Sequence, residues 1–263
     1  MFLYPNAKIN IGLRVLEKRS DGYHNIETIF YPIPVFDILE IVEGGGLTIN
    51  SEIGMRQYGI DCGCNPCDNL SLKAYKIFRD KFDLPPVEIY LHKNIPSGAG
   101  LGGGSSDAAF TLIGLNELFN LNLSKEELAV YASQIGSDCA FFIYNTPMVG
   151  TKRGEELTPI NIDNMRDYYI KVVYPPFHIS TAEAYKNVKP RNTRTDCTKT
   201  KPLSELIKRP IEEWKDLITN DFEESVFLVK PELIKYKEAL YQEGAVYASM
   251  SGTGSTMFGI FKK

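Results

Sequence analysis

The chain has 263 residues, enough for one large domain or two modest ones. With 43% hydrophobic and 24% charged residues it falls outside the disordered class. A net charge of −4 and a pI near 5.6 argue against a general nucleic-acid binder, and no apolar run approaches the ~18 residues of a membrane span.

The N-terminus, Met1 to Pro5, lacks the charged and apolar regions of an export signal, so a cytoplasmic location is expected. Five cysteines is an odd number for a disulfide framework. Cys62, Cys64 and Cys67 form a cluster that resembles a metal hook, but no fourth Cys or His lies nearby, and Cys139 and Cys197 are remote. Structural zinc normally takes four ligands, so reduced thiols in a surface loop are the preferred reading and no metal site is assigned.

From Ile9 the chain alternates, with apolar residues at 9, 11, 13 and 15, as in a strand with one buried face. Lys8, Asn10, Gly12 and Arg14 share the other face, which is either solvated or lines a site. Glu17 to Asn25 reads as a polar turn around Asp21-Gly22. Tyr23-His24 then opens a strand through Ile26, Thr28 and Phe30. An aromatic and one of only three histidines placed just after a turn suit a planar heterocycle, although such pairs are more often structural. Further strands are expected at 38–42 and 47–49, joined by Gly44-Gly45-Gly46. A helix is expected from Ser71 to Phe82 behind Asp68-Asn69-Leu70, and a strand at 87–92.

Residues 95–107, Ile-Pro-Ser-Gly-Ala-Gly-Leu-Gly-Gly-Gly-Ser-Ser-Asp, place five glycines between Gly98 and Gly104. Glycine tolerates positive φ and lets a ligand approach bare backbone. An apolar stripe at Leu112, Leu115, Leu118 and Phe119 makes the following segment a helix, so the loop is anchored and is not a linker. A helix N-terminus behind a glycine loop is an anion site. The loop has no lysine at its end, which excludes a Walker A loop. Gly98, Gly100 and Gly103 match a dinucleotide spacing, but the next segment is helical and the acidic ribose ligand is missing. No His-Arg-Asp or Asp-Phe-Gly stretch follows, so a protein-kinase loop is excluded as well.

Ser124 and Glu127 form a capping box for a helix that stops at Gly136. Asp138 follows, before the apolar run Cys139 to Phe142. It is either a plain N-cap or a carboxylate that must be paired beside a core. Further on, a strand is expected at 170–174 and a capped helical turn at 180–185. Residues 186–204 read as a polar loop, followed by helices near 204–208, 211–219, 220–228 and 231–242. The chain closes as strand, glycine-hydroxyl turn, strand, with the turn at Ser251 to Thr256. Strands precede the loop and helices gather beside them, an α+β pattern.

These motifs carry a resemblance. Pro96 to Asp107 is similar to the Pro-x-x-x-Gly-Leu-Gly-Ser-Ser-Ala signature of the superfamily of galactokinase, homoserine kinase, mevalonate kinase and phosphomevalonate kinase. Ser251-Gly252-Thr253-Gly254-Ser255 resembles that superfamily's third motif. Within it, four segments most resemble the family of kinases acting on 4-diphosphocytidyl-2-C-methyl-D-erythritol in the non-mevalonate isoprenoid pathway. They are Ala7 to Asn10, Arg19 to His24, Gly98 to Ser106 and Gly136 to Asp138. The Asp-Gly-Tyr-His segment separates this family from its relatives. Departures from the common pattern are Ser137 and Cys139-Ala140 around Asp138, and an end of the chain soon after the third motif, which implies a small C-terminal lobe.

The resemblance implies a two-lobed α+β fold with the active site in the cleft between lobes. Residues 1–149 would form the nucleotide-binding lobe, and 150–263 a lobe contributing to the substrate site. It implies ATP as phosphoryl donor and a cytidine-diphosphate-linked polyol as acceptor, phosphorylated on its 2-hydroxyl. Lys8 and Asp138 would be catalytic, with Asp138 accepting the hydroxyl proton. Pro96, Ser97, Gly98, Ala99, Gly100, Leu101, Gly102, Gly103, Gly104, Ser105 and Ser106 would hold ATP, with the two serines near a Mg²⁺ whose ligands are not specified. Asn69 and Lys93 are further candidates at the nucleotide. Asn10, Tyr23, His24, Thr181 and Tyr185 would bind the acceptor, and Gly252, Thr253, Gly254 and Ser255 would close a second loop. Two alternatives stand beside this reading: a kinase for a mevalonate-type acid, which would want an Arg or Lys clamp, and a non-catalytic nucleotide-binding protein. Neither a nucleic-acid nor a membrane partner is implied, and no oligomeric state.

Overall fold

The structure is a computed structural model that describes residues 1–44, 54–61, 68–193 and 201–263. In chain order the elements are β1 (Phe2–Leu3), β2 (Asn6–Lys18), β3 (His24–Phe36), β4 (Ile38–Glu43), β5 (Gly54–Gly59), α1 (Leu70–Phe82), β6 (Val87–Lys93), α2 (Gly103–Leu118), α3 (Lys125–Ile135), α4 (Cys139–Tyr144), β7 (Met148–Lys152), β8 (Glu156–Pro159), β9 (Tyr168–Val173), α5 (Thr181–Asn187), α6 (Leu203–Leu206), α7 (Trp214–Leu217), α8 (Phe222–Val229), α9 (Glu232–Gln242), β10 (Tyr247–Met250) and β11 (Met257–Lys262). The α+β expectation holds. The strand expected at 47–49 and the cysteines Cys62, Cys64, Cys67 and Cys197 lie outside the described residues.

The chain divides into two compact units, and neither is contiguous. One comprises residues 1–7, 34–97 and 102–146; the other comprises 8–33, 98–101 and 147–263. This differs from a simple break near 149. The reason is strand pairing: β3 runs antiparallel to β7 from Ile26 opposite Lys152 to Phe30 opposite Met148, which draws most of β2 and β3 into the same unit as the C-terminal half.

The first unit is built on the sheet β1-β4-β6-β5, antiparallel except for the β5–β6 pair. Alternate residues Leu39, Ile41, Ile89 and Leu91 are buried, as the period of a strand dictates. Helix α2 contributes Leu112 and Leu115, and α1 contributes Tyr75 and Phe78, to the buried apolar residues of this unit. Each such side chain, fully buried, contributes about 1.5–3 kcal/mol. Gly114 allows α2 to lie close to the sheet, since a side chain there would strike Leu3 and Ile41. Helix α3 starts with the expected capping box: Glu127 N–H donates to Ser124 Oγ and Ser124 N–H to a Glu127 carboxylate oxygen.

The second unit holds most of the sheet β2-β3-β7-β8 and all of the sheet β10-β11-β9. Its core gathers Leu13, Val15, Phe222, Val226, Leu233, Leu240, Met250 and Met257. The closing hairpin β10–β11 is antiparallel, with Met250 opposite Met257. Strands β7 and β8 carry no strong alternation and were not legible. Within β2 both faces are buried from Asn6 to Val15, so Lys8, Asn10 and Arg14 are not on a solvated face. Burying them requires partners.

Candidate functional site

In the second unit Arg14 pairs with Glu27 and the Lys201 carbonyl, and the partners of Lys8 and Asn10 form one network. Lys8 Nζ donates to Asn10 Oδ1 at 2.6 Å and to the Gly100 carbonyl at 3.1 Å. Asn10 Nδ2 donates to Thr28 Oγ1 at 2.9 Å, and Thr28 Oγ1 to the Gly12 carbonyl at 2.7 Å. Ser251 Oγ donates to the Gly100 carbonyl at 2.8 Å and accepts the Asn10 N–H at 3.2 Å. Lys8 N–H donates to the Leu101 carbonyl, and Thr256 N–H to the Ala99 carbonyl. So the first half of the glycine loop, Gly98–Leu101, is held by Lys8 from one side and by the third motif from the other. Gly100 has φ 79°, and any side chain there would collide with the Ser251 carbonyl oxygen.

The third-motif turn has its own supports, which sequence reasoning missed. Asn220 Nδ2 donates to the Met250 and Gly252 carbonyls, both at 2.8 Å, while its Oδ1 accepts the Phe222 N–H. Only the last of these bonds is local and legible as a helix-start signal. Ser255 Oγ donates to the Phe177 carbonyl at 2.5 Å. Glu223 accepts the Met250 N–H and the Ser249 hydroxyl.

The acceptor candidates lie in the same unit. His24 stacks on Tyr185 with centroids 5.0 Å apart, and Tyr185 meets Phe222 edge-on. Burial and the nearby Lys18 hold the His24 pKa below its ordinary value, so the ring is neutral near pH 7 and offers one donor and one acceptor. Tyr23 is 58% exposed, with the Arg153 guanidinium over its ring at 5.0 Å. Thr181 is exposed at the first position of α5, whose cap is Ser180 accepting the Glu183 N–H.

The first unit carries the second half of the loop. Gly102, at φ 70°, turns the chain into α2, which begins at Gly103 with no side-chain cap. The N–H groups of its first turn therefore have no side-chain partner at the cap and carry the positive end of the helix dipole. Ser106 Oγ is buried without a hydrogen-bond partner. Ser105 shares a hydrogen bond with the Cys139 thiol, whose pKa burial pushes up to about 12. Cys139 begins α4, so this bond ties α2 to the residue beside Asp138. Asp138 occupies the cap position of α4, yet its side chain makes no capping hydrogen bond. The plain N-cap reading therefore fails.

Two residues named for the nucleotide have structural partners of their own. Asn69 caps α1, its Oδ1 accepting the Ser71 N–H at 2.9 Å. Lys93 is 3% exposed, its amine between Asp37 and Asp107. The uncapped start of α2 and the orphaned Ser106 hydroxyl fit a nucleotide phosphate. Among the described residues no cluster of three or more His, Cys, Asp or Glu could hold a metal ion.

Residues 69–146 match the model of the GHMP kinases N terminal domain, and 203–263 that of the GHMP kinases C terminal. A 4-diphosphocytidyl-2-C-methyl-D-erythritol kinase of Bacteroides thetaiotaomicron is 48% identical over 262 residues, spanning 100% of this chain and 92% of the relative. One of Cytophaga hutchinsonii is 47% identical over 261 residues, spanning 99% and 92%. The crystal structure of a 4-(cytidine 5'-diphospho)-2C-methyl-D-erythritol kinase superposes with a TM-score of 0.81 at 29% identity, covering 98% of this chain and 89% of that one. A mevalonate kinase structure superposes at 0.70 with 15% identity, covering 100% and 91%, which shows the shared fold alone. The chain is a GHMP kinase and belongs to the 4-diphosphocytidyl-2-C-methyl-D-erythritol kinase family.

Proposed function

We propose that the chain transfers the γ-phosphoryl group of ATP to the 2-hydroxyl of 4-diphosphocytidyl-2-C-methyl-D-erythritol, giving ADP and the 2-phosphate. The observation that carries this reading is full-length similarity, at 46–48% identity, to seven kinases so named. The site supports it in chemical detail. Phosphoryl transfer through a loose transition state needs positioning and charge stabilisation more than covalent chemistry. The start of α2, which has no side-chain cap, supplies N–H donors for the phosphates. The Asp138 carboxylate, unused as a cap, accepts the proton of the 2-hydroxyl as it attacks. Lys8, its amine oriented by Asn10, is the catalytic cation of this reading. Ser105 and Ser106 would offer hydroxyls to a bound Mg²⁺, which would neutralise charge developing on the transferred group.

At the acceptor, a neutral His24 can donate to and accept from a cytosine edge, and Tyr23 and Tyr185 offer ring faces. This disfavours a mevalonate-type acid, for which a cationic clamp would be expected. ADP release in the presence of Mg-ATP is expected with the cytidyl alcohol and not with mevalonate. Turnover of mevalonate, or of neither alcohol, would overturn the assignment.

A further inference from the structure

Three charged side chains are buried together in the first unit and take no part in the scheme above. Lys93 ends β6, Asp37 sits between β3 and β4, and Asp107 lies in the second turn of α2; none is more than 3% exposed. Lys93 Nζ donates to Asp107 Oδ2 at 2.6 Å and also to Asp37 Oδ2. Asp37 Oδ1 accepts two backbone N–H groups, from Asn94 at 2.6 Å and Ile95 at 2.9 Å. Those residues lead directly into the glycine loop. A side chain at Gly103 would sit 3.2 Å from Lys93 Nζ, so the amine lies directly beneath the first residue of α2.

Stability is a poor reason for such an arrangement. Buried ion pairs lose much of their attraction to desolvation, and apolar replacements of similar volume are often neutral or stabilising. What the three groups supply is direction. One carboxylate grips the backbone before the loop, the other rides on the helix after it, and the amine ties them together. Lys93 is too buried to serve as an open phosphate ligand. Burial and Asp37 push the Asp107 carboxyl up to about 7 against the pull of Lys93, and Asp107 Oδ1 is buried without a partner. That atom can carry a proton, which brings the cluster to neutrality under the helix start.

We propose that Lys93, Asp37 and Asp107 are positioning residues for the nucleotide phosphates, holding the N-terminal turn of α2 in register with the backbone that leads into the loop. The inference rests on the phosphate reading of that loop. Misplacing catalytic or binding groups by about 1 Å is costly, so the cluster's contribution falls on nucleotide affinity and not on acceptor affinity.

The test is calorimetry of Mg-ADP and, separately, cytidine 5'-diphosphate, well below the melting temperature of each variant. Asp107→Leu keeps the Lys93–Asp37 pair and removes only the link to the helix. It is expected to bind Mg-ADP about tenfold more weakly and cytidine 5'-diphosphate as the wild type does. Lys93→Met is expected to lose more, and Lys93→Arg to recover part of that loss. If Lys93→Met fails to fold, Asp107→Leu decides. Wild-type Mg-ADP affinity in a folded Asp107→Leu protein overturns the proposal, as does an equal loss of both ligands. A wild-type chain that binds no Mg-ADP overturns the phosphate reading itself, and the positioning role with it.

Discussion

The two halves of the glycine loop are secured by different physical chemistry. Gly98–Leu101, in the second unit, is held by neutral acceptors: its carbonyls take bonds from the Lys8 amine and backbone, the Ser251 hydroxyl and the Thr256 N–H. Gly102–Ser106, in the first unit, is flanked by a buried cluster of one amine and two carboxylates. Bonds to backbone carbonyls require close approach, and so they require glycine. A charged cluster is sensitive to the loss of a partner but works at a distance from the ligand. Sensitivity to substitution should therefore be steric in one half and electrostatic in the other.

The largest expected effect concerns chemistry on the helix side. Asp138→Asn keeps the shape and removes the base, and kcat should fall roughly 10²- to 10⁴-fold. Circular dichroism and Mg-ADP binding should be unchanged, and a near wild-type kcat would remove Asp138 from its role. On the neutral side, Gly100→Ala forces a side chain against the Ser251 carbonyl at positive φ. It should cost about 1–3 kcal/mol by urea unfolding and weaken nucleotide binding. An innocuous Gly100→Ala would break the steric half of the contrast.

The electrostatic half can be sharpened with pH. Asp107 titrates at about 7 in the fold against 3.8 as its ordinary value, so between these values the folded chain binds more protons than the unfolded one. The Asp107 contribution is thus fully present below about pH 4 and is lost as pH rises through 7. Asp107→Asn should flatten this part of the stability profile, measured by denaturant unfolding across pH, while Gly100→Ala should keep the wild-type slope. A smaller effect is expected at the acceptor: Tyr185→Ala removes ring contacts worth about 1 kcal/mol and should weaken cytidine 5'-diphosphate binding roughly fivefold by calorimetry, with Mg-ADP unaffected. Smallest for function is Ser124→Ala, which removes the α3 cap. It should lower stability by about 1 kcal/mol and leave kcat and both KM values unchanged.

Local patterns were legible where a local rule governs them. The Ser124/Glu127 box, the Ser180 cap and the β10–β11 hairpin follow from side chains that bond within a few residues. The β2 pattern was read correctly as a strand and incompletely as to burial. Alternation reports one apolar face, and nothing in it tells that Lys8, Asn10 and Arg14 find partners on the other. Strands β5, β7 and β8 escaped because their burial is irregular. Asn69 and Lys93 were named for the nucleotide through the family resemblance; in the structure Asn69 Oδ1 accepts the Ser71 N–H and the Lys93 amine sits between two carboxylates.

Lys8, Asp138 and Tyr23-His24 stood out only through the family resemblance, whereas the sequence by itself determined the glycine loop, its anchoring helix, the helix caps and the closing hairpin. These are short-range signals, in which glycine spacing, caps and apolar periods express conformational limits of a few residues at a time. Only the tertiary structure decided how the loop is held. Residues 37, 93 and 107 are far apart along the chain, as are 10, 100 and 251, and no periodicity links them. They meet because β4 and β6 pair in one sheet, and because β2 carries Asn10 to the turn between β10 and β11. The loop announces an anion from its own composition. Its rigidity on one side comes from backbone carbonyls and on the other from a buried charge cluster, and both are products of long-range packing.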